Sequence, residues 1–465
     1  MPSNVPVIRP HKEHRLNDIL FSILLIVFLA IALLSILYNI VGYSYSLVIA
    51  IAIISSAIAI TMFYCTIRGS AKWKKRLLFV VYLFVIIEII LQLSALAGIL
   101  PGVNVSLHVP YSRTIGTKEK FCSGNMNRYG WYYPNFKFKE NSKRILLIGD
   151  SFIDALQVHP KDNVGVKLEE LLNANANATP STEVLSLGIS GTGPAQYYHI
   201  LRYGARYYHP SEAIVFICLA NDFRNVTYKL HTSQPPENYI YYIIDQNNNL
   251  VLDPHSAPVL TSFQNILANN HLSIFLNVPL IIVSNSMTYA VIRVLTKHFR
   301  TIFHMYRHSK VAQYDLTDEL ETLGWNSVLF RKKSCQEARE SYAITTGLLK
   351  MCKQYADSQG IVFRIVTIPS FPRAFYTTYN STNWSFEIGE YDFSLPDHSL
   401  IELAHNNQIP ILSLGQYMYE RKLPVDSIKS LYFYEGLGHF NQRGHQYLAN
   451  LLFSSFYSPK GNQTE

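Results

Sequence analysis

Lys143 to Phe152 reads KRILLIGDSF. The run Arg144–Ile148 is apolar on consecutive positions rather than alternate ones, as in a strand buried on both faces, and Gly149 ends it. A serine follows at once, at the turn from strand to helix. There the helix N-terminus offers free backbone N–H groups and a partial positive charge. A hydroxyl so placed is exposed and suited to attack on an electrophile.

Reading outward, the same alternation continues. Val164–Leu172 has helical spacing, and Val184–Leu187 is a second apolar strand. The glycine-rich turn GISGTG (Gly188–Gly193) comes next, and Pro194 opens a helix to about Tyr207. Ala213–Leu219 (AIVFICL) is a third buried strand. Further on, Gln336–Asp357 reads as a helix, Ile361–Ile368 and Ile411–Leu414 as strands, and Gly444–Phe456 as a closing helix. Strands separated by helices predict a three-layer α/β domain, flavodoxin-like, with a mostly parallel sheet over residues 142–457. Its site is expected beyond the carboxyl ends of the strands. Between about 227 and 333 the alternation lapses over a length too great for a loop, so a helical insertion is predicted, with an amphipathic piece around Leu280–Tyr306.

The hydrophobic fraction of 49% against 15% charged residues is concentrated in the first hundred positions. Three apolar stretches, at about 19–41, 47–67 and 77–100, are each long enough to cross a bilayer core of about 30 Å. They predict an N-terminal anchor of three transmembrane helices, joined to the domain by a linker over 101–141. Arg9, Lys12 and Arg15 precede the first span, and Arg68, Lys72, Lys74, Lys75 and Arg76 lie between the second and third. By the positive-inside rule both clusters are cytoplasmic, which puts the large domain on the periplasmic or extracytoplasmic side. Glu88, inside the third span, is costly there and is read as facing the other two helices.

Four short stretches carry the candidate chemistry: GDSF with Ser151, the turn with Gly191, LAND with Asn221, and GHFNQRGH with His439 ahead of the closing helix. A histidine can take the serine proton, and a glycine N–H and an asparagine amide can donate to an oxyanion. In this order the stretches resemble the SGNH (GDSL-type) hydrolase superfamily. The resemblance implies that Ser151 is the nucleophile and also an oxyanion donor, with Gly191 and Asn221 as the other donors and His439 as the base. The family's aspartate, two or three residues before the histidine, is missing here; Gly436 and Leu437 stand in its place. Either Glu435 fills the role from four residues ahead, or the site is a Ser–His dyad. Asp150 and Asp222 are read as fixing their turns, and His445 as structural.

The net charge of +8 comes without a basic, aromatic-interleaved helix, so no nucleic-acid partner is expected. The five cysteines form no metal-like pairs, and neither a metal nor a cofactor is implied. The resemblance implies serine-dependent ester chemistry, with an acylated envelope glycan (an O-acetyl ester) as the expected substrate. A sugar hydroxyl as acceptor would make the same site an O-acyltransferase, supplied by a membrane partner carrying the acyl donor. A fold retained as a non-catalytic binding or assembly module is the competing class.

Overall fold

The computed structural model describes residues 11–41, 46–68, 71–97, 108–115, 119, 122–174, 181–219, 221–228, 230–231, 239–272, 274–292, 295–296, 328–369, 390–434 and 437–458. Three long helices come first: α1 (His11–Val41), α2 (Ser46–Arg68) and α3 (Ala71–Leu96). Their membrane-length apolar windows are Asn17–Leu37, Ile49–Ile67 and Ala71–Ala95, so the third span begins earlier than its sequence predicts.

A five-stranded parallel sheet forms the domain, in the order β4-β3-β5-β8-β9. The strands are β3 (Lys143–Gly149), β4 (Thr182–Gly188), β5 (Glu212–Cys218), β8 (Val362–Ile368) and β9 (Ile411–Ser413). Leu146 and Ile148 point into one core with Leu187, Ile200, Val215 and Leu349. Ile145 and Leu147 point into the other with Leu168, Ile214, Val366, Leu448 and Leu452. Consecutive residues of one strand feed opposite cores, which explains the uninterrupted apolar runs. Helices cover both faces: α6 (Pro194–Tyr208) and Gln336–Ser358 on the first, α5 (Val164–Leu172) and Gln442–Phe456 on the second.

The stretch expected as a linker departs from that reading. Trp131, Tyr133 and Phe136 are buried in the first core, and the Trp131 indole N–H donates to the Tyr208 hydroxyl at 3.1 Å. Ahead of them β1 (Arg113–Ile115) and β2 (Ser123–Asn125) form an antiparallel hairpin. Its strands have three residues each, too few for a period-2 pattern to show.

The insertion contains a small hairpin, β6 (Tyr242–Ile244) with β7 (Leu250–Leu252), and helices α8 (Ala257–Asn269) and α9 (Ile274–Asn285). α9 packs on α1 and α2. Of the predicted amphipathic piece, residues 297–306 lie outside the described residues. Glu88 does not face α1 and α2 as expected. Its carboxylate accepts from the backbone N–H of Met287 (2.7 Å) and Thr288 (2.9 Å), and from the hydroxyls of Ser286 and Thr288.

Candidate active site

The sheet brings its carboxyl ends together at a short helix, α4 (Ser151–Asp154), that begins on the residue after the Gly149–Asp150 turn. Asp150 is the N-cap, and its carboxylate accepts the Phe152 N–H at 3.0 Å. Ser151 is the first residue of that helix. Ala155 closes it in the left-handed conformation (φ 53°). The end of β4 presses against this helix: a Cβ on Gly188 would stand 2.0 Å from the Asp154 nitrogen, so only glycine fits.

The His439 Nε2 lies 2.7 Å from the Ser151 Oγ. Its other ring nitrogen, Nδ1, lies 2.8 and 2.9 Å from the two carboxylate oxygens of Glu119. The same carboxylate accepts the His439 backbone N–H at 3.2 and 3.3 Å. A carboxylate can only accept here, so Nδ1 carries the proton and Nε2 is free to accept from the serine hydroxyl. The Phe152 ring packs on the imidazole with centroids 5.0 Å apart, which fixes the ring plane from the side.

Sequence reasoning missed Glu119. It follows β1 in the hairpin loop, 320 residues from His439, and no spacing rule connects the two. Glu435, one of the two alternatives for this role, lies outside the described residues; the carboxylate on Nδ1 is that of Glu119.

The remaining predicted residues converge on α4 as well. Asn221, just after β5, donates its side-chain amide to the Asp150 carboxylate at 3.1 Å. Burial raises the pKa of that carboxyl, while the hydrogen bonds from Phe152 and Asn221 act the other way. Gly191 has φ +79°, a backbone that strains a side chain, and the nearest atom to a Cβ there would be the Tyr239 hydroxyl at 3.7 Å. The residue before it, Ser190, gives its N–H (3.0 Å) and hydroxyl (2.6 Å) to the buried Asp154 carboxylate. One oxyanion candidate is thus tied to the first turn of α4 and the other to its last residue. Asp222 accepts from the Cys218 N–H (2.8 Å) and the Tyr197 hydroxyl (3.1 Å), and His445 is buried, both as expected of structural groups.

The segment before β3 grips this arrangement from outside. The His108 Nδ1 donates to the Gly130 carbonyl at 3.0 Å, while its Nε2 stands 3.6 Å from Asp154. Met126 and Tyr132 pack on Leu156, just beyond α4. Among the described residues no group of three or more His, Cys, Asp or Glu side chains gathers as metal ligands would.

No protein-family model and no curated protein matches the chain. Solved structures similar to it include TesA, at 10% identity and TM-score 0.34, over 68% of this chain and 98% of that one. The psychrotrophic esterase EstA from Pseudoalteromonas sp., inhibited by monoethylphosphonate, is 8% identical at TM-score 0.31, over 68% and 96%. The acetyl xylan esterase AlAXEase is 10% identical at TM-score 0.33, over 67% and 99%. Identities and scores this low say nothing about chemistry, which has to be argued from the geometry of the site.

Proposed function

We propose that this protein is a membrane-anchored serine esterase in which Ser151 attacks an acyl carbonyl. The observation that carries the reading is the continuous relay from the Glu119 carboxylate through both nitrogens of His439 to the Ser151 Oγ. As the serine oxygen bonds to the carbonyl carbon, its proton passes to Nε2, and Glu119 stabilises the imidazolium that forms. In this reading the N–H groups of Ser151 and Gly191 and the Asn221 amide donate to the tetrahedral oxyanion. Collapse expels the alcohol, which takes the proton from Nε2. Water then repeats the sequence on the acyl-serine and releases the acid.

The proposed substrate is an O-acetyl ester on an envelope glycan. The family resemblance of the sequence motifs and the extracytoplasmic placement expected from the positive-inside rule support it. With a sugar hydroxyl in place of water, the same acyl-serine would hand on its acyl group. The test is hydrolysis of p-nitrophenyl acetate by the full chain in lipid nanodiscs, with labelling by a serine-reactive phosphonate. Wild type should turn over and take one label, and Ser151→Ala should do neither. Turnover that survives Ser151→Ala would refute the reading.

A further inference from the structure

Among the described residues, the insertion holds the most apolar helix outside the anchor, and ester hydrolysis at Ser151 makes no use of it. α8 lies on the domain, its Leu267 buried in the first core. The chain then turns by 118° into α9, whose sequence IFLNVPLIIVSN carries no charge. α9 packs against α1 and α2, with Leu280 buried beside Val109, Ile51 and Leu276. Residues 287–292 follow as a further helical turn and a half, with Met287 and Ala290 buried against Ala95 and Leu91 of α3. The outward face stays uncovered: Phe275 is 71% exposed, Ile292 53% and Ile282 49%. In water such a surface, continuous with the exposed faces of three membrane-length helices, would be an aggregation site.

The break between α9 and residue 287 is the second observation. A helix end frees backbone carbonyls and N–H groups, and in hydrocarbon no water satisfies them. Here α3 supplies the partners. Gln92 donates to the Asn285 carbonyl at 2.8 Å, and Glu88 accepts the N–H groups of Met287 and Thr288. Glu88 lies eight residues before Leu96, so about 12 Å along the helix from its outer end. At the bend into α9, the buried Asn277 amide reaches the carbonyls of Asn269 and Leu272, both at 3.5 Å. Dedicated side-chain partners at both ends are what a broken helix needs inside a bilayer.

We infer that residues 274–292 are a re-entrant element embedded in the same bilayer as the anchor, with lipid acyl chains as the partner of their exposed face. The twelve residues of α9 reach only about 18 Å, short of a crossing, and the helix breaks after Asn285. The flanking helices α8 and Gln336–Ser358 both pack on the one domain, so the stretch between them begins and ends on the same side. It is also stitched to the candidate site: the Asn285 side chain accepts the Arg113 N–H of β1 at 2.8 Å, and β1 leads directly to Glu119.

The test uses the full chain in liposomes containing a phospholipid with a diazirine in its acyl chain. After irradiation, adducts are mapped by mass spectrometry. Residues 274–292 should carry adducts at a density within about threefold of that on Ser46–Arg68, as exposure to hydrocarbon requires. Labelling of all three anchor helices, with 274–292 no higher than the domain helix Gln336–Ser358, would overturn the inference. That result would also follow if a second copy or another protein covered the face. The readout does not involve ester hydrolysis, so it stands or falls independently of the proposed activity.

Discussion

Glu119 holds His439 at two points, the ring Nδ1 and the backbone N–H, and so fixes both tautomer and orientation. In Glu119→Gln the side-chain amide can donate to Nδ1, which moves the ring proton to Nε2 and turns the base into a donor facing Ser151. We expect kcat on p-nitrophenyl acetate to fall about 10²- to 10⁴-fold with KM little changed. Glu435→Gln should keep kcat within about threefold of wild type, since Nδ1 is already occupied. The opposite ranking of the two variants would return the acid role to Glu435. The Ser151–His439 pair was legible because each residue sits in a short motif beside a helix that its own sequence announces. Glu119 was not, because its partner is 320 residues away and the contact exists only once the hairpin docks.

At the scale of elements, the hairpin β1–β2 delivers that carboxylate. Its position is set by Tyr132, whose ring lies under β2: a Cβ on Gly124 would stand 2.5 to 2.8 Å from the ring and hydroxyl. Gly124→Val should push the hairpin away while the sheet stays intact. Kinetics should show kcat reduced at least about tenfold with an unchanged far-ultraviolet circular dichroism spectrum, since small displacements of a catalytic group cost that much. Full activity would mean that Glu119 does not depend on the hairpin. The parallel strands and their crossover helices were readable from apolar runs, whereas three-residue strands leave no period to read. Two helices also carry an acid sensitivity. Burial lowers the pKa of His199 on α6 to about 4 and that of His445 on the terminal helix to about 3, with His439 adding to the second. The Nδ1 of each is buried without a hydrogen-bond partner among the described residues. The folded pKa is depressed below the ordinary value of about 6.5, so the folded state binds fewer protons than the unfolded chain. Stability is therefore full above pH 6.5 and is lost as pH falls from there toward 4, by at most about 3 kcal/mol for His199. Burial raises the Asp222 pKa and tilts the balance the other way, so the effect is best read from a variant. Thermal melts should show His199→Gln losing less stability than wild type between pH 7 and 4.5. Parallel curves would show that His199 is not titrating in this window.

The orientation of the whole molecule follows from where its charges can rest. Asp18 near the start of α1 and Lys74 near the start of α3 pair at 3.0 Å, so those two ends share one face of the bundle. An exposed pair of this kind adds little stability, but it fixes which ends are neighbours. Lys72, Lys75 and Arg76 also lie at the start of α3, while the sequence between the first two spans, Gly42–Ser46, carries no charge. Moving four cations across hydrocarbon is far costlier than moving an uncharged turn, so we expect the basic face to stay in the cytoplasm. With three spans, the positive-inside rule predicts that the α/β domain lies outside. The three membrane-length helices were legible from hydropathy alone. The insertion's return into the bundle was not, because α9 is too short to register as a span. Alkaline phosphatase fused after Glu465 should be active in intact cells, and the same enzyme inserted between residues 69 and 70 should be at least about tenfold less active, as a translocation difference demands. Replacing Lys72, Lys74, Lys75 and Arg76 together with asparagine should narrow that ratio by weakening the retention signal. An inactive C-terminal fusion beside an active one at 69–70 would invert the topology. It would place Ser151 in the cytoplasm and remove the envelope glycan from consideration as substrate, while leaving the Glu119–His439–Ser151 relay to act on some other ester.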